Sequence, residues 1–177
     1  MATITEGLRD IIAGTSEICY LDGVEGILAY RGYDIHDLAD KATFEEVVYL
    51  LWFGQLPNKS ELGQLTAKLA AHRPLPPKLI DAMRSFPANA IPMSSLRTVV
   101  SALAGYDPLA DVHTPEANLE KAYRLTAQLA TIVAALDRVR KGLAPVEPDP
   151  KLSHAANFLY MLSGEKPDEM ESRVFDI

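Results

Sequence analysis

Four histidines, one cysteine and three carboxylate pairs are the side chains whose types could move a proton, hold a metal or attack a substrate in this sequence. A transition-metal site built on helices needs imidazoles a turn apart, and none of His36, His72, His113 and His154 stands at that spacing from another histidine. With Cys19 as the single cysteine, a thiolate cage and an intrachain disulfide are both excluded. His36 and His72 fall in or near helix ends and His113 lies in a polar linker, so each reads as a surface residue. His154, in Ser-His-Ala-Ala-Asn-Phe-Leu-Tyr-Met, is the best placed for proton transfer because it enters the first turn of a helix beside Asn157. No nucleophile or acid accompanies it, and it reads as a packed or hydrogen-bonded structural histidine. The pairs Glu116/Glu120, Asp37/Asp40 and Glu45/Glu46 suit helix amino ends or water-facing positions, where nothing would raise a carboxyl pKa for acid-base work. Gly23-Val24-Glu25-Gly26 is too sparse for a phosphate loop, Ser94, Ser95 and Ser101 lack a nucleophile-elbow setting, and Cys19 sits in a strand with no cation beside it. These residues assign no catalytic, cofactor-binding or metal site.

The element that must organise such a scaffold is Thr114 to Gly142. Thr114 caps, Pro115 suits the first turn, Lys141 suits the negative end and Gly142 stops it. At ~1.5 Å per residue this helix runs about 40 Å. Leu119, Ala122, Thr126, Leu129, Val133 and Leu136 make one apolar line, Leu125, Ile132 and Val139 a second, and Leu125 to Leu136 carries no charge. A helix apolar on several sides needs cover on several sides, from other helices, from a second subunit or from both.

Before it, Ser16 to Tyr33 predicts a small hairpin turning at Asp22-Gly23. Asp34 caps a short helix to Ala39, and Thr43 with Glu46 has capping-box spacing ahead of Val47 to Phe53, which Gly54 ends. A helix from Lys59 to His72 turns Leu62, Leu65 and Leu69 inward and Lys59, Gln64 and Lys68 outward, and another from Lys78 to Phe86 presents Leu79, Met83 and Phe86. Ser94 to Gly105 carries Leu96, Val99, Val100 and Leu103 as a stripe among small residues. After the proline-rich connection Leu143 to Pro150, Ser153 caps a helix that turns Phe158, Leu159 and Leu162 inward, and a last helix runs from Pro167 to Ile177. The apolar finish at Val174, Phe175 and Ile177, with no stop signal, reads either as a frayed tail or as a helix interrupted by a cut, a split gene or an artificial shortening.

A net charge of −7 without a cluster of Lys and Arg excludes a broad electrostatic grip on nucleic acid or an anionic bilayer. The uncharged runs Val47 to Asn58 and Leu125 to Leu136 are too short to span a membrane, and Glu6, Arg9 and Asp10 do not suit a secretory signal. A soluble cytoplasmic protein is expected.

Several stretches together resemble the amino-terminal part of citrate synthases. They are Tyr20-Leu21-Asp22-Gly23 with Gly26, then Tyr30-Arg31-Gly32-Tyr33 with Ile35 and Leu38, and Thr43-Phe44-Glu45-Glu46-Val47 with Leu50, Leu51, Gly54, Leu56 and Pro57. Pro92-Met93, Leu96-Arg97-Thr98-Val99-Val100-Ser101-Ala102 and Ser153 to Met161 complete the set, with Ile91 departing from the histidine often found before Pro-Met.

The resemblance implies a mainly α, multi-helical large domain with a small N-terminal β-hairpin, residues 1–177 forming its amino-terminal part and the small, substrate-closing domain lying elsewhere. It implies an acyltransferase that condenses oxaloacetate with acetyl-CoA to citrate and CoA in the tricarboxylic acid cycle, with acetyl-CoA as co-substrate and no tightly bound cofactor. The family's catalytic histidines and aspartate fall beyond the position matching Ile177, so this chain alone is expected to be inactive. The resemblance also places the Ser94 and Pro115 helices at a two-fold interface, which assigns Met93, Leu96, Val100, Leu103, Leu129, Val133 and Leu136 to subunit contact in a homodimer or higher oligomer. Pairing with a carboxy-terminal half is a further expectation. Two alternatives stay open: a non-catalytic assembly or regulatory partner of a full-length synthase, and part of a 2-methylcitrate synthase using propionyl-CoA.

Overall fold

Capping side chains set most of the element boundaries in the computed structural model, which describes residues 14–176. Glu6, Arg9, Asp10 and Ile177 lie outside the described residues. Strands β1 (Cys19–Asp22), β2 (Ile27–Tyr30) and β3 (Tyr33–Asp34) precede helices α1 (Ile35–Lys41), α2 (Phe44–Phe53), α3 (Lys59–His72) and α4 (Pro77–Arg84). Then come α5 (Pro92–Leu103), extended by a short 3-10 turn at Ala104–Tyr106, and α6 (Pro115–Arg140), α7 (His154–Ser163) and α8 (Glu169–Asp176).

Asp34 accepts from the His36 amide at 2.8 Å to start α1. Thr43 and Glu46 close a reciprocal capping box at α2, as their spacing predicts, and Asn58 with Glu61 does the same at α3. Gly54 ends α2 at φ 82°, a left-handed conformation that a β-carbon disfavours.

The three strands form one antiparallel sheet in the order β1-β2-β3. Its first turn departs from the expected two-residue hairpin: Asp22 pairs with Ile27, leaving four residues in the loop, and the positive φ falls at Gly26 rather than Gly23. The Asp22 carboxylate closes that loop by accepting from the amides of Val24 and Glu25. The third strand is too short to show periodicity and was not legible in the sequence.

Two hydrophobic clusters lie along α6. Its amino-terminal half puts Tyr123 and Ala127 against Val48 of α2 and Leu65 and Leu69 of α3. Its carboxy-terminal half puts Ile132, Ala135 and Leu136 against Leu79 and Met83 of α4 and Val99 and Leu103 of α5. The single long helix thus joins both clusters, as its apolar composition requires. The buried face takes one residue from each predicted line, Leu136 and Ile132, together with others outside them. Ala117, Tyr123, Ala127, Thr131, Ala134 and Ala135 are buried, while Leu125, Leu129 and Val133 remain 40%, 37% and 37% exposed. Short side chains let neighbouring helices approach α6 closely, so its alanines and Thr131 go inside alongside Tyr123, Ile132 and Leu136, and Leu125, Leu129 and Val133 are left at the rim.

Two further differences concern packing faces. In α7 the buried residues are Ala155, Ala156, Asn157 and Met161; Phe158, Leu159 and Leu162 turn instead toward α8, where Phe158 stacks on Phe175 at 5.1 Å. Lys68 is not simply outward: its ammonium pairs with Glu120 and lies 4.1 Å from the centre of the Tyr123 ring.

Candidate functional site: a buried polar junction and an open apolar face

His154 sits where α2, α6, α7 and α8 converge. Ser153 caps α7 by accepting from the Ala156 amide, which leaves the His154 amide free to donate to the Glu45 carboxylate at 2.9 Å. The imidazole stacks on Phe44, with centroids 4.5 Å apart and planes at 14°. Glu45, read from sequence as a water-facing charge, is only 5% exposed, because the first turn of α2 packs against the first turn of α7. A carboxylate between two helix amino ends is favourably placed with respect to both dipoles.

Beneath this junction lies Arg73, which sequence reasoning missed. It is 1% exposed, and its Nη1 donates to the carbonyls of Asp149 and Leu152, both at 2.9 Å. Its own carbonyl accepts from Thr131 Oγ1 of α6 at 2.9 Å. Arg73 therefore fastens the end of α3 to α6 and to the connection entering α7. Asn157 adds a second tie by accepting from the Asp149 amide at 2.8 Å. Lys166 bonds the Asp149 carboxylate at 2.8 Å and, together with the Lys151 amide, holds it below the usual carboxylate range. An arginine between a helix end and a proline carries no local mark of burial; only the tertiary arrangement buries it.

The imidazole is held neutral. Burial, and then the Arg73 guanidinium, push the His154 pKa down to about 4 despite the opposing Asp176 carboxylate. Asp176 moves the other way: burial raises it, against the Phe44 amide that donates to it at 3.3 Å. A base that weak is poorly matched to proton abstraction at neutral pH, and Ser153 Oγ is committed to its cap. The Nδ1 of His154 and the Nε and Nη2 of Arg73 make no hydrogen bond within the described residues. The junction organises structure. The remaining histidines do not join it: His36 and His113 are exposed, while His72 is half-buried rather than superficial, and its burial lowers its pKa. Among the described residues no group of three or more His, Cys, Asp or Glu side chains could hold a metal ion, and Cys19 is an exposed free thiol.

The pKa of His154 sets a pH dependence. Its folded value lies below the ordinary 6.5, so its stabilising contribution is complete above pH 6.5 and is lost as pH falls from 6.5 through about 4. The raised Asp176 acts in the opposite sense, favouring the fold when protonated. The His154 share amounts to about 3 kcal/mol. His154→Phe, which keeps the stack on Phe44, is expected to flatten the fall in melting temperature across that window; an unchanged slope would show that the imidazole does not titrate with folding.

The predicted interface residues occupy two places. Val100 and Leu103 border a depression with Leu125, whereas Leu129 and Val133 border another with Phe44, His154, Phe158, Phe175 and Asp176, of about 400 Å³. Met93 is 68% exposed and Leu96 and Val100 are half-buried, leaving apolar surface for a partner. Leu103 and Leu136, also expected at subunit contact, are each 7% exposed in the single chain and pack in its own core, where α4 and α5 close over the end of α6. No helix among the described residues is long and apolar enough to cross a membrane.

A helical scaffold strung on one long helix, pinned by a buried arginine and bare along part of that helix, defines the class of a mainly α, multi-helical protein. Comparison with known proteins makes the class specific. A family model described as "Citrate synthase, C-terminal domain" matches residues 7–177. Citrate synthase of Haloferax volcanii is 47% identical over 178 residues, covering 98% of this chain and 47% of its own length. Citrate synthase 2 of Bacillus subtilis is 45% identical, covering 98% of this chain and 46% of its own. The crystal structure of citrate synthase from Pyrobaculum aerophilum superposes with a TM-score of 0.88 at 38% identity, over 96% of this chain and 44% of that one. The chain belongs to the citrate synthase family. It spans about half the length of these relatives.

Proposed function

We propose that this chain forms structural framework in a citrate synthase, an acyltransferase that joins the methyl carbon of acetyl-CoA to the carbonyl carbon of oxaloacetate and releases CoA and citrate in the tricarboxylic acid cycle. The observation that carries this reading is likeness to named citrate synthases across almost the whole chain, in sequence and in fold together. The described residues contribute support rather than proton transfer, since the most eligible histidine is half-buried, neutral and engaged with Phe44 and Glu45. Acetyl-CoA acts as a co-substrate that comes and goes, with no tightly bound cofactor, and the protein works in the cytoplasm.

The same reading makes the chain an assembling one. Met93 and the half-buried Leu96 and Val100 of α5, with Leu129 and Val133 of α6, meet a second copy to form a homodimer, because an obligate interface has the character of a divided core. Thiol release from acetyl-CoA in the presence of oxaloacetate tests the catalytic part. The 177-residue chain alone is expected to give no release above buffer, and the chain supplied with the other half of a citrate synthase is expected to give citrate. Turnover by the chain alone would refute the supporting role assigned to it.

A further inference from the structure

Arg31 is the one non-glycine residue at positive φ among the described residues, at 50°. With Gly32 at 88° it makes the tight turn that pairs Tyr30 with Tyr33 and joins β2 to β3. Two successive positive φ values suit Asn-Gly far better than Arg-Gly, since a long side chain gains nothing from the left-handed region and is strained there. Something must hold Arg31 in it. Its backbone amide donates to the Ile18 carbonyl at 2.9 Å, just beyond the β1–β2 ladder. Its Nη2 donates to the Leu51 carbonyl at 3.1 Å, 20 residues away in the last turn of α2. That carbonyl is one of the four that a helix leaves unmatched at its carboxy end, where a cation is also favoured by the dipole. The guanidinium reaches Glu17 as well, at 3.5 Å to its carbonyl and 3.8 Å to its carboxylate.

Apart from the packing of β2 and β3 against α1, the sheet that this residue anchors has little to fix it to the helical body. Tyr20, Leu21 and Val24 are 60%, 72% and 94% exposed, so the outer strand and its loop are not buried in either hydrophobic cluster. Beyond the covalent passage from β3 into α1, the guanidinium is a tie from the sheet to the end of α2. We propose that Arg31 is a latch that holds the three-stranded sheet against the carboxy end of α2, and that its left-handed backbone is the conformation the latch demands. The latch sets the angle at which the sheet's exposed apolar side chains are presented, and its release frees the sheet to swing about the β3–α1 junction.

Arg31→Gly separates the two contributions by sign. Glycine relieves the backbone strain, so on conformational grounds alone it should tighten the turn. Removing the latch should loosen the sheet. Hydrogen exchange of the full chain is expected to show amides of Cys19–Tyr30 exchanging at least about tenfold faster in the variant, while amides of α6 keep their rates. Unchanged or slower exchange in the strands would overturn the proposal, and so would equal acceleration in α6, which would mark a global loss of stability instead of a local release.

Discussion

Arg73→Ala is expected to cost about 3–5 kcal/mol of folding stability, the range for removing one member of a buried charged network. Three losses combine. The carbonyls of Asp149 and Leu152 lose their donor. The Glu45 carboxylate, almost wholly buried, loses the nearby positive charge that compensates it. A cavity the size of a long side chain opens between α3, α6 and the entrance to α7. The check is denaturant unfolding followed by circular dichroism, with α7 the first element to lose exchange protection. A change below about 1 kcal/mol would mean that solvent or a neighbour replaces the guanidinium, and that the junction is not the fastening it is taken to be.

The contrast between Arg73 and its neighbours shows what was legible in the sequence. Helix starts were legible because capping is local: Asp34, Thr43 with Glu46, Thr114 and Ser153 each carry their signal within four residues, and each caps in the structure. The long helix and its need for cover were legible because composition over 26 residues is a strong signal. Facing was not. In α7 Phe158, Leu159 and Leu162 were assigned inward, yet Ala155, Ala156, Asn157 and Met161 are the buried residues, and in α6 Thr131 and the alanines share the core with Ile132 and Leu136, because closeness of approach and hydrogen bonding, not side-chain hydrophobicity alone, decide which face a crowded helix turns in. Burial of Glu45 and Arg73 was likewise invisible, since each is buried by a partner more than seventy positions away: the His154 amide is 109 residues from Glu45, and the Asp149 carbonyl 76 from Arg73. The residues of the resemblance gave the family, which no periodicity could have supplied.

Val133→Glu carries the second large effect. Within one chain Val133 borders solvent, so a glutamate there leaves the monomer folded, with helicity and melting unchanged within about 0.5 kcal/mol. In an assembly that covers this face the carboxylate would be buried without a partner, at about 3 kcal/mol or more, which weakens association at least about a hundredfold. Size-exclusion chromatography with light scattering is expected to show the mass falling to that of one chain. An unchanged oligomer would place the contact elsewhere, with the depression shared by Val100, Leu103 and Leu125 as the next face to alter. This variant also separates assembly from folding, which Arg73→Ala does not.

The Val133 result follows from one physical circumstance, that the long helix is only partly covered by its own chain. Sedimentation equilibrium of the unaltered 177-residue chain over a range of micromolar concentrations measures this directly. A mass rising with concentration toward twice that of the chain is the predicted result. A single-chain mass at every concentration, with Leu129 and Val133 still accessible to solvent, would contradict it.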